Sequence, residues 1–114
     1  MSKRSSELFL NDIIESIDAI FSYLVDVDFD EFKSDRKTYQ AVIREFEIIG
    51  EATKNIYECL KKYYPEYPFR RVIDFRNRIA HEYFGINFKT IWDIIYYELP
   101  KLKEIILKVK GEKC

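Results

Sequence analysis

Histidine occurs once in this chain, cysteine twice, and glycine and proline three times each. Each scarcity excludes something. So few glycines and prolines, with no strand-like alternation of apolar and polar residues, argue against a β-rich fold. Cys59 and Cys114 make neither a metal-ligand spacing nor a disulfide framework, which suits a reducing cytoplasm. The formal charge of −1, with 34% charged residues of both signs, excludes nucleic-acid binding driven by bulk charge alone. Any such contact has to be local. No apolar run is long enough for a membrane span, and the amphipathic N-terminal stretch, broken by Asn11, Asp12 and Glu15, has no signal-peptide character. A single domain over residues 1–114, cytoplasmic and with no membrane partner, is expected.

What is present is an apolar residue at every third or fourth position, the mark of an all-α chain. Ser5 or Ser6 is placed to cap the first helix, with Glu7 near its positive end. Leu10, Ile13, Ile17, Ile20 and Leu24 follow as a stripe that must be buried. The acidic run from Val25 to Glu31 reads as a solvated connection with an extra short turn around Phe29 to Phe32; it lacks the glycine turn and terminal glutamate of a calcium loop. Ser34 or Asp35 caps a second long helix, in which Val42, Phe46, Ile49, Thr53, Ile56 and Leu60 keep the spacing to about Tyr64. Gly50 sits inside it at a cost of about 1 kcal/mol relative to alanine, which points to close approach of another backbone. Glu47 and Glu51 read as a solvent- or dimer-facing pair, since no second acidic or histidine pair completes a di-metal box; no metal and no cofactor is expected.

Pro68 fits the first turn of a third helix, Phe84-Gly85 its stop, and Asn87 the cap of a last helix. In that helix Trp92, Ile95, Leu99, Leu102, Ile106 and Val109 form the stripe, and Pro100 predicts a kink between Tyr96 and itself. Four amphipathic helices joined by short links predict an up-and-down four-helix bundle.

The third helix carries Arg76-Asn77-Arg78-Ile79-Ala80-His81-Glu82-Tyr83. At about 100° per residue from Val72, the residues Phe75, Ile79 and Tyr83 stay within about 60° and form a core stripe. Arg76 falls at the stripe's edge near about 40°, while Asn77, Arg70 and His81 point outward at about 140°, 160° and 180°. The small methyl of Ala80 leaves room for a pocket between the Arg76 guanidinium, the Asn77 amide and the His81 imidazole. Asn77 and His81 lie one turn apart, so the amide can orient the ring or contact a phosphate. Arg70, Arg71, Arg76 and Arg78 against Asp74 alone make a basic strip suited to bidentate phosphate contacts. Histidine is the side chain best poised for proton transfer near neutral pH. Together these residues point to a phosphate-directed site.

Arginine, a polar residue, three more residues and then histidine, with tyrosine two places on, resembles the motif of the HepT-like toxins within the HEPN superfamily of α-helical RNases. Ala41-Val42-Ile43-Arg44 with Glu47-Ile48-Ile49-Gly50-Glu51-Ala52 resembles the family's second-helix pattern. Phe84-Gly85-Ile86, Trp92 and Leu99-Pro100-Lys101-Leu102 resemble its closing segment, so the likeness covers nearly the whole chain. Asp74-Phe75 departs from an expected small residue and methionine, and Phe69 from a common tryptophan. The resemblance implies a HEPN-like homodimer whose two motif helices face each other across a cleft and cleave an RNA substrate without metal. Arg76 and His81 would be catalytic, with Asn77, Arg70 and Arg78 positioning the substrate. It also implies the toxin half of a type VII toxin–antitoxin pair, neutralised when a minimal nucleotidyltransferase antitoxin attaches AMP to the motif tyrosine, here Tyr83. The same basic cleft also fits a non-catalytic nucleotide-binding helical subunit of a nucleotidyltransferase complex, and a third reading is a purely structural dimerising bundle.

Overall fold

The apolar stripe of the N-terminal segment is the face that α1 (Lys3–Tyr23) buries: Leu10, Ile13, Ile17 and Ile20 are all at most 1% exposed. The structure is a computed structural model that describes residues 3–81 and 87–111, with side chains from 5 to 79 and from 87 to 111. Among these residues all regular structure is helical, as the periodicity predicts. α1 already includes Ser5 and Ser6, the expected caps, and Ser6 is buried.

The chain leaves α1 through a turn in which Asp26 takes a φ of 60°, a left-handed conformation that aspartate tolerates better than most residues. Asp28 then caps α2 (Phe29–Ser34), its Oδ1 accepting from the Glu31 N–H at 2.9 Å. The expected short turn is therefore a capped helix. It is anchored by Phe32, fully buried with its ring centroid 5.3 Å from that of Trp92 and 6.0 Å from that of Phe88.

Asp35, not Ser34, caps α3 (Arg36–Asn55), accepting from the Lys37 N–H at 3.2 Å and the Thr38 hydroxyl at 2.8 Å. The Thr38 bond above all holds the Asp35 carboxyl below its ordinary pKa. The long second helix expected to reach Tyr64 is broken at Ile56, whose φ of −119° ends α3, and α4 (Tyr57–Tyr63) follows. Thr53, Ile56 and Leu60 stay buried on both sides, so the apolar spacing runs through the break without registering it. Cys59 on α4 is disulfide-bonded, against the expectation from cysteine spacing; the other cysteine, Cys114, lies outside the described residues.

Pro68 lies just ahead of α5 (Phe69–His81) and its carbonyl accepts from the Arg71 N–H at 3.0 Å. The Phe84-Gly85 stop falls outside the described residues. Asn87 caps α6 (Phe88–Asp93) as expected, accepting from the Thr90 N–H at 3.2 Å. A π-helical turn, Ile94–Glu98, then leads into α7 (Leu99–Lys110), with Pro100 in its first turn. The disturbance expected before Pro100 takes this form: proline has no N–H to donate, and the wider register ahead of it lets the Leu99 N–H reach the Ile94 carbonyl.

α3 packs on both α1 and α5, and α1 also packs on α7. The Tyr23 hydroxyl donates to Glu45 at 2.8 Å across the first contact, and Lys103 donates to Asp18 at 2.6 Å across the last. Edge-to-face rings of Phe46 and Phe75, with centroids 5.1 Å apart, pin α5 to α3. Among the described residues no helix is long and apolar enough to cross a membrane.

Candidate active site

Phe69, Ile73 and Ile79 are buried on α5, whereas Val72 and Phe75 are covered only in part. The inward face is therefore centred about 60° away from Val72 on the helical wheel, which puts Arg76 near its middle. This corrects the expectation that Arg76 sits at the edge of a Val72-centred stripe. An arginine turned inward needs a gap opposite, and Gly50 of α3 supplies it. A Cβ on Gly50 would come 2.2 Å from Arg76 Cβ and 2.6 Å from Arg76 Cγ, with the Val72 carbonyl oxygen at 3.5 Å. The close approach expected of Gly50 is thus made mainly by the Arg76 stem, and only secondarily by backbone.

Beyond that stem the guanidinium reaches a polar cleft, leaving the side chain 31% exposed. Nη1 donates to Asn77 Oδ1 at 3.1 Å, and Nη2 lies 3.5 Å from Glu51 Oε2. Nε is buried and makes no hydrogen bond. Asn77, exposed itself, thus orients the guanidinium, a role the sequence did not suggest. Glu51 was missed as a site residue. Its charge gave no signal, but its neighbour Gly50 did, because a mid-helix glycine marks where another element crosses.

Beside the guanidinium lies a cavity of ≈ 210 Å³ where α1, α3 and α5 meet, with Arg76, Arg44, Asp12, Glu47 and Glu51 in its wall. Arg44 pairs with Glu47 at 3.4 Å. Carboxylates therefore face Arg76 and Arg44 here, and Arg76 is the one member of the expected basic strip in this cavity's wall. Glu47 and Glu51 face solvent in part, as expected, with side chains 35% and 51% exposed, and each also makes an ion pair within the chain. Arg70 is exposed and pairs with Asp74 at 3.6 Å, and Arg78 is exposed on the same helix. His81 is the last residue of α5. The side chains of Ala80 and His81, and all of Tyr83, lie outside the described residues, and with them the pocket anticipated around Ala80. Among the described residues no group of three or more His, Cys, Asp or Glu is placed to hold a metal ion.

On the other flank of α5 a second cavity, of ≈ 140 Å³, has Phe46, Val72, Phe75, Leu99, Tyr67 and Glu98 in its wall. Burial first, and then the Glu98 charge, push the Tyr67 hydroxyl up to about 12.

A family model described as "Ribonuclease HepT-like" matches residues 13–109, which takes in α3, α5 and the contacts of Arg76 with Gly50, Glu51 and Asn77. The chain belongs to the HepT-like ribonuclease family. Two proteins of Methanocaldococcus jannaschii, each named "Putative RNase", are similar to it along their length. One is 41% identical over 98% of this chain and 96% of its own. The other is 37% identical over 96% and 94%. A "Probable ribonuclease HepT" of Thermococcus cleftensis is 41% identical over 89% of this chain and 92% of its own. No solved structure matches. In this HepT-like chain the helix bearing Arg76 and His81 is thus the one that Gly50 and the Phe46–Phe75 contact fix against α3.

Proposed function

We propose that this HepT-like protein is a metal-independent endoribonuclease acting as a homodimer of up-and-down four-helix bundles. The observation that carries the proposal is the seating of Arg76. Its stem is fixed by Gly50 and its guanidinium by Asn77, on the helix that ends at the chain's only histidine.

In this mechanism His81 takes the proton of an RNA 2′-OH as the 2′-oxygen attacks the adjacent phosphorus. The bond from phosphorus to the 5′-oxygen breaks, and that oxygen leaves with a proton from a general acid. Two motif helices facing each other in a dimer provide a second His81 for that task. Arg76 stabilises the negative charge that builds on the phosphorane, and preorganised donors of this kind supply much of the rate enhancement in charged transition states. Asn77 keeps the guanidinium aimed, while Arg70 and Arg78 on the exposed side of α5 hold neighbouring phosphates. The products are a 2′,3′-cyclic phosphate and a free 5′-OH.

In a type VII pairing this toxin is neutralised by a minimal nucleotidyltransferase that attaches AMP to Tyr83. Tyr83 follows His81 by two residues, so the added phosphate would lie near the groups that hold the substrate. Expression from an inducible promoter, without the partner, separates the enzyme from a nucleotide-binding subunit. Growth arrest that disappears with Arg76→Ala or His81→Ala supports the enzyme, and arrest that persists in both variants counts against it.

A further inference from the structure

Gly50, Asn77 and Glu51 each contact the Arg76 side chain, and they are not equivalent. Gly50 holds the stem by shape, and Asn77 accepts a hydrogen bond of 3.1 Å from Nη1. Glu51 stands 3.5 Å from Nη2 and makes a looser ion pair, with its own side chain 51% exposed. Position is already set by the first two. What Glu51 adds is a negative charge on the edge of the guanidinium left over. A carboxylate and a phosphate are interchangeable partners for that edge, since both present oxygens to a planar fork of N–H donors.

The surroundings sharpen this. Of the charged side chains in the wall of the ≈ 210 Å³ cavity, Arg44 is engaged by Glu47 and Arg76 by Glu51, while Asp12 adds another carboxylate. An incoming phosphate therefore finds Arg76 occupied inside a cleft with carboxylates on two helices. A phosphate that takes the Nη2 edge has to displace Glu51. With half of its side chain in solvent, Glu51 has somewhere to go.

Resting on the RNase reading above, we propose that Glu51 is a built-in competitor that occupies the phosphate position on Arg76 in the free protein. Glu51 is thereby an affinity-determining residue: RNA binding exchanges one anion for another on the same arginine. A pair this exposed weakens competing binding by at most about fivefold. That is enough to set KM and too little to block the site.

The test reads binding without cleavage, so its failure is distinct from failure of the RNase assignment. A fluorescent single-stranded 2′-O-methyl oligoribonucleotide, which lacks the attacking hydroxyl, is titrated at low salt and followed by anisotropy. The full chain is compared with Glu51→Gln, with Glu58→Gln as a control for lost negative charge on exposed α4, and with Arg76→Ala alone and combined with Glu51→Gln. Circular dichroism verifies that each variant is folded. The expected result is about two- to fivefold tighter binding by Glu51→Gln, a smaller change for Glu58→Gln, and no gain from Glu51→Gln once Arg76 is gone. Equal or weaker binding by Glu51→Gln, an equal gain without Arg76, or no binding by any of the proteins overturns the proposal. Where the native chain cleaves RNA, Glu51→Gln lowers KM and leaves kcat unchanged; a fall in kcat would assign Glu51 to positioning Arg76.

Discussion

Gly50 and Arg76 fit together so closely that a methyl on the glycine would come 2.2 Å from the arginine's Cβ. A glycine inside α3 costs helix stability, and here it is needed because α5 turns an arginine inward. Gly50→Ala gains about 0.5–1 kcal/mol of helix propensity and loses about 1–3 kcal/mol to overpacking, a net destabilisation. Arg76→Ala does not relieve the clash, because the atom struck is a Cβ that alanine keeps. Arg76→Gly does relieve it, leaving the Val72 carbonyl at an ordinary 3.5 Å. Urea denaturation of the single and double variants reads this coupling, and additive effects would contradict the packing described.

Tyr67 makes the protein less stable in alkali. Burial pushes its hydroxyl up to about 12 in the folded chain, against the ordinary 10.0. Between these values the unfolded chain loses the proton and the folded chain keeps it, so stability present below pH 10 declines as pH rises toward 12. Allowing for partial exposure, the loss is about 1–2 kcal/mol. Tyr23, raised first by its bond to Glu45, and Tyr96, raised by burial, act in the same direction. Tyr67→Phe should flatten the curve of denaturation midpoint against pH, and an unchanged slope would remove Tyr67 from the explanation.

Co-expression with a cognate minimal nucleotidyltransferase should leave Tyr83 carrying AMP, visible by intact-mass and peptide mass spectrometry. Tyr83→Phe should then escape neutralisation and arrest growth despite the partner. An inactive complex with Tyr83 unmodified would defeat this part of the proposal.

Local signals carried the helices well where burial and spacing agree. The α1 stripe from Leu10 to Ile20 and the α7 stripe from Leu99 to Val109 are buried as their periodicity requires. Asn87 caps as its side chain suggests. The break at Ile56 was hidden, because Thr53, Ile56 and Leu60 remain at helical spacing across it. At the site, the wheel was centred on Val72 with Phe75, Ile79 and Tyr83; Ile79 is buried as expected, but Val72 and Phe75 are covered only in part, and the choice of centre left out Phe69 and Ile73, which are buried. That error moved Arg76 to an edge. The role of Glu51 was illegible for another reason: an ion pair between α3 and α5 is a tertiary contact, and only Gly50 beside it hinted that the two helices cross there.

The central claim is that Arg76 and His81 cut RNA together, and the direct measurement is cleavage of single-stranded RNA by purified protein with a chelator present. The expected result is product ending in 2′,3′-cyclic phosphate, with cleavage reduced about a hundredfold or more in folded His81→Ala and Arg76→Ala. Undiminished cleavage by His81→Ala, or full inhibition by the chelator, would contradict it.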